Sequence, residues 1–183
     1  MDVAEDGERL AASLARWLDR LHFVDLTTDE VTARIIESVV EWAGGEGWRV
    51  YRRAASVVPL PPPLSGQYSV LDVACARPVG PPVVVEIDHT DRRRTVDKLV
   101  AEAGAGRVPI WVRWGTGRFA TPPPPVHLVT ITVTRRGGGA GGRLHSRMPV
   151  NDRPPPAHSV EGAGVASRVV LPIPFVDPDP GGA

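Results

Sequence analysis

The sequence predicts an α/β domain with a mixed central sheet of about five strands flanked by helices. Three observations carry this. Apolar residues recur at helical spacing near the N-terminus, two-residue alternation then replaces it, and a single helical stretch interrupts the strands. The chain has 183 residues, of which 42% are hydrophobic, enough for one domain plus tails.

Elements follow in order. Residues 5–22 read as an amphipathic helix, with Leu10, Leu14, Trp17, Leu18 and Leu21 at helical spacing. "FVDLTTDE" reads as a break. Thr27 and Glu30 make a capping-box pattern, so a second helix starts there, carrying Val31, Ile35, Val39 and Trp42 on one face. Gly44-Gly45 ends it. Strands are expected over 48–58, 67–75 and 83–88. A helix over about 90–103 follows, with Val96, Leu99, Val100 and Ala103 as its buried stripe. Strands over 108–115 and 126–133 complete the pattern. The first three strands form an antiparallel meander, and the later helix makes the crossover to the fourth.

Residues 1–26 read as an accessory segment, 27–134 as the core domain, and 135–183 as a Gly/Pro/Arg-rich, largely disordered tail. The apolar island 167–176 has no assigned role. The formal net charge is zero, and the single cysteine, Cys75, excludes a disulfide framework and a multi-cysteine zinc site. No run suits a membrane helix, and the acidic N-terminus lacks a signal-peptide core, so a cytoplasmic protein with no membrane partner is expected. Arginines number 20 against one lysine, Lys98, a skew expected of a GC-rich, bacterial genome.

The chemistry concentrates in "VVVEID", Val83–Asp88. A buried strand seldom carries two carboxylates on one face, because each is costly to bury unless paired. Asp72 and Glu86 are equidistant from Val79 at the centre of the intervening turn, so a symmetric hairpin makes them cross-strand neighbours, with Asp88 two residues further along the same face. Three converging carboxylates suit a hard divalent cation, Mg2+ or Mn2+.

"LDVA … VVVEID … VDKL" and the element order resemble the PD-(D/E)XK nuclease superfamily, the restriction-endonuclease-like fold, over about residues 28–134. The resemblance implies metal-dependent hydrolysis of nucleic-acid phosphodiester bonds. Asp72 matches the family's Asp and Glu86 its second acid; Asp88 stands where the motif lysine belongs. Some members supply that lysine from the following helix, which points to Lys98 as the catalytic lysine beside Asp72 and Glu86. Glu37 is the nearest match to an accessory acid on the first core helix. The helical wheel sets Lys98 about 200° from Val96, on the solvated side, and Glu37 at the border of the apolar arc. Arg92 and Arg93 are candidates for phosphate contact, and Lys98 or Arg92 for contact with the scissile phosphate.

The metal set is then Asp72, Glu86 and Asp88, and the partner DNA, bound in the core groove with the Arg/Gly tail as a second contact. The alternative is an inactive member of the fold, kept as a nucleic-acid-binding or protein-interaction module, which Asp88 in the lysine slot favours. Whether the chain is an enzyme is left open.

Overall fold

The computed structural model describes residues 3–139 and 142–149. Helix α1 (Val3–Leu18) leads into a short strand β1 (Phe23–Leu26) and helix α2 (Thr28–Gly45). Strands β2 (Arg49–Pro59), β3 (Tyr68–Ala76) and β4 (Val83–Asp88) follow, then helix α3 (Arg93–Gly104). Strands β5 (Val108–Gly115), β6 (His127–Thr132), β7 (Thr134–Gly137) and β8 (Arg143–Arg147) complete the chain's described part.

The main sheet has the order β2-β3-β4-β5-β6. β2, β3 and β4 form the expected antiparallel meander. α3 carries the chain across to β5, which pairs parallel with β4, and β6 pairs parallel with β5. The chain is therefore α/β with a mixed five-stranded sheet.

Two apolar layers sandwich this sheet. On one side Leu10 and Leu14 of α1 and Val31, Ile35 and Val39 of α2 pack on Val83, Val85 and Ile87. On the other, Leu99 of α3 packs on Leu71, Val84 and Trp111. The alternation of β4 thus sends Glu86 and Asp88 to the α3 side, with Val84. α1 lies close against β6: a Cβ on Gly7 would sit 1.9 Å from His127 Nε2.

α2 starts where its capping box places it. The Thr27 hydroxyl accepts from the Glu30 N–H, and the Glu30 carboxylate accepts from the Thr27 N–H at 2.8 Å.

α3 departs from expectation. Its buried residues are Thr95, Lys98, Leu99 and Glu102, whereas Val100 is 40% exposed. The helix is rolled so that two charged side chains face inward, because each finds a partner there. Lys98 meets Glu86. Glu102, fully buried, accepts hydrogen bonds from the Ser56 hydroxyl at 2.5 Å, the Val57 N–H at 2.8 Å and Arg107 Nη1 at 2.5 Å. A wheel that scores only apolar residues cannot see a stripe held by ion pairs.

The expected boundaries at 26 and 134 also change. "FVDL" is a strand, not a break, and Thr134–Gly137 and Arg143–Arg147 are strands that reach into the expected tail. β1, β8 and β7 form a second, three-stranded antiparallel sheet, and the compact unit runs to Pro149. Arg136 pairs with Asp25, and Arg147 Nη1 donates to the Leu18 carbonyl at 2.5 Å. Short, polar strands whose partner lies over a hundred residues earlier leave no periodic signature. The expected tail beyond 149, with the island 167–176, lies outside the described residues. No helix among those described is long and apolar enough to cross a membrane.

Candidate active site

The β3–β4 ladder pairs Val73 with Val85, Ala74 with Val84 and Cys75 with Val83. This is the symmetric register expected about Val79, and its next pair would be Asp72 and Glu86. The ladder stops there. In its place the Asp72 carboxylate accepts a hydrogen bond from the Ile87 N–H at 2.8 Å. On the other flank Arg53 takes a left-handed conformation, φ 50°, between the pairs Arg52–Val73 and Ala54–Leu71, and so lies opposite Asp72. A non-glycine residue in that region is uncommon and marks a local distortion.

Where β3 and β4 part, a cavity of about 550 Å³ opens between the first turns of α2 and α3. Asp72, Glu86 and Asp88 line it, together with Lys98, Arg92 and Arg94 from the α3 side and Thr28, Asp29 and Thr32 from α2.

Lys98 is the centre of its electrostatics. Its Nζ lies 2.6 Å from Glu86 Oε1 and donates to the Val70 carbonyl at 2.7 Å. Both side chains are about nine-tenths buried. Burial raises the Glu86 pKa to about 7, against the opposing pull of Lys98 and with help from the charges of Asp72 and Asp88. Burial also raises Asp72, which the Ile87 N–H and the Lys98 charge partly offset. The carboxylates therefore feel one another, as converging groups do.

Asp88 is held differently. Its Oδ2 accepts from Trp111 Nε1 at 3.0 Å, and Arg92 Nε stands 3.9 Å from its Oδ1. Arg113, on the neighbouring strand, pairs with Asp91 and stacks over the Trp111 ring at 4.6 Å, so it is buried rather than facing a groove.

The expected residues thus sort clearly. Asp72, Glu86, Asp88, Lys98 and Arg92 line one cavity. Lys98 belongs to its wall, contrary to the solvated placement expected from the wheel. Glu37 does not line it: it sits half-exposed on α2 in a bidentate pair with Arg52. Arg93 is exposed, 3.8 Å from Asp97, and its neighbour Arg94 lines the cavity instead. Asp29 and Thr28 are the residues that the sequence did not single out. The capping box placed them at a helix start, but only packing brings that start beside β4.

A divalent cation finds partial provision here. Glu86 Oε1 is buried and makes no aligned hydrogen bond beyond its ion pair. Among the described residues no three Asp, Glu, His or Cys side chains come together as a ready-made metal cluster. Magnesium ordinarily needs one or two carboxylates and completes its shell with water. Asp72 and Glu86, in a cavity with room for water, fit that smaller demand. Comparison with family models, curated proteins and solved structures found no match.

Proposed function

We propose that the chain is a divalent-metal-dependent nuclease of the restriction-endonuclease-like fold, acting on DNA in the cytoplasm. The observation that carries this reading is the meeting of Asp72, Glu86 and Lys98, from three separate elements, at one cavity. The resemblance asks for a lysine beside the two acids. α3 supplies one at 2.6 Å from Glu86 although the strand carries Asp88 in its place.

Asp72 and Glu86 would hold Mg2+ or Mn2+, with Asp88 supporting the site's negative charge; when bound, the ion supplies a water of lowered pKa and offsets charge at phosphorus. Lys98 holds a fixed positive charge beside Glu86, placed to meet a scissile phosphate oxygen. Arg92 and Arg94 supply charge for flanking phosphates. Glu86 must be ionised to serve, and with its pKa raised to about 7 protons compete with the metal for it below neutrality.

A second reading, an inactive binding module, draws on the same pair. Lys98 already neutralises Glu86, and Trp111 already occupies Asp88. Plasmid nicking with magnesium or manganese separates the two. Cleavage by the wild type that is lost in Asp72→Asn and Glu86→Gln supports the nuclease. No cleavage with either metal refutes it and leaves the binding module.

A further inference from the structure

Beside the acidic cavity lies a second, smaller one of about 230 Å³ with the opposite character. His89, Trp114, Thr116, Arg135, Arg143 and His145 line it, and no Asp or Glu does. It shares Thr28 and His89 with the acidic cavity. Two of its walls come from β7 and β8, the segment that composition alone assigns to a tail.

Two buried ring nitrogens of residues that line this cavity lack partners among the described residues. Trp114 is 1% and His145 7% exposed, yet Trp114 Nε1 and His145 Nδ1 make no hydrogen bond. Their rings meet edge to face at 5.0 Å, and His145 Nε2 lies 3.3 Å from the Thr28 hydroxyl. An unmet buried donor is costly, and native proteins rarely keep one without water or a ligand. Arg135 and Arg143 are exposed, line the cavity and enter no ion pair among the described residues. Burial, then the charges of Arg135, His89 and Arg143, push the His145 pKa below its ordinary value. The two arginines are therefore close enough to His145 to act on it, and no carboxylate lines the cavity beside them.

We propose that this cavity binds a phosphate monoester, the phosphorylated end of a nucleic-acid strand, between Arg135 and Arg143. The choice of a strand end rests on the nuclease reading; the preference for phosphate rests on the cavity. A monoester carries nearly two negative charges at neutral pH and three acceptor oxygens. Two guanidinium groups match that charge, and the Thr28 and Thr116 hydroxyls on the cavity wall are neutral donors for the remaining oxygens. Because the two cavities share Thr28 and His89, a strand end held here would present its first bonds towards Glu86 and Lys98.

Calorimetric titration of the full chain without metal tests this. The ligands are inorganic phosphate and short DNA strands ending in 5′-phosphate, 3′-phosphate or hydroxyl. One phosphorylated end should bind at least tenfold more tightly than the hydroxyl end. Arg135→Gln with Arg143→Gln should abolish the difference, and the matching lysine pair should keep part of it. Both arginines are exposed, so the variants should fold, which thermal melting checks. Equal binding of all three ends overturns the assignment to strand ends, even if free phosphate binds. Failure of phosphate to bind, or binding indifferent to both substitutions, overturns the cavity's role altogether. The titration needs no cleavage, so a protein with an end preference but no nuclease activity would sink the nuclease reading and leave this one standing.

Discussion

Lys98 of α3 and Glu86 of β4 form an ion pair of 2.6 Å, with each side chain about nine-tenths buried. It joins the helix that follows the central strands to the strand that carries the acids. Removing Lys98 leaves a buried carboxylate without its cation. Lys98→Met should cost about 3–5 kcal/mol in urea unfolding above neutral pH, and less under acid, where Glu86 protonates. The double variant Lys98→Met/Glu86→Gln should recover much of that loss. An additive double variant would show that the pair is not coupled.

The raised pKa of Glu86 sets a pH window. Its value of about 7 in the folded chain lies above the ordinary 4.5, so the folded state is penalised when Glu86 ionises. The penalty is absent below about 4.5, grows up to about 7 and is complete above it. Relative to Glu86→Gln, the wild type should lose roughly 3 kcal/mol of stability across that window, at 1.36 kcal/mol per unit. Parallel stability curves for the two proteins would remove the shift.

Metal should act through Asp72. Under the nuclease reading, magnesium or manganese at a hundredfold excess over its dissociation constant should stabilise the fold by about 2.7 kcal/mol. Asp72→Asn keeps an oxygen for the Ile87 N–H but loses the charge, so it should abolish the effect without opening the strands. Lys98→Ala should retain a metal shift while the cleavage rate falls by about two orders of magnitude or more. A wild-type rate in Lys98→Ala would refute the displaced-lysine assignment.

Glu102 anchors α3 to β2 through Ser56 and Val57. Glu102→Ala strands two buried donors and a neighbouring arginine, and should cost about 3–5 kcal/mol. Glu102→Gln keeps one acceptor and should cost less. Equal losses would mean that the charge alone matters.

The β7–β8 hairpin changes the expectation for proteolysis. Arg135, Arg136 and Arg143 lie in the paired strands β7 and β8, and Arg147 pairs with Phe23 of β1, so brief trypsin treatment of the native protein should spare these sites. Early cleavage at Arg135 or Arg136 would contradict the second sheet.

Much of the core was legible because its signals are local. Thr27 and Glu30 start α2 through bonds three residues apart, and the symmetry of the turn about Val79 set the β3–β4 register that brings Asp72 and Glu86 to one cavity, since a hairpin's register is set by its own turn. What lay beyond the sequence depended on contacts between distant segments. The rotation of α3 was decided by Glu86 and Ser56, which its own periodicity does not contain, so Lys98 turned inward and Val100 outward. Glu37 was drawn to Arg52 and away from the acids. β7 and β8 became part of a sheet because β1, more than a hundred residues earlier, offered backbone partners and Asp25 offered a charge to Arg136. Composition registers the cost of ordering such a segment, but the compensating bonds exist only once the chain has folded.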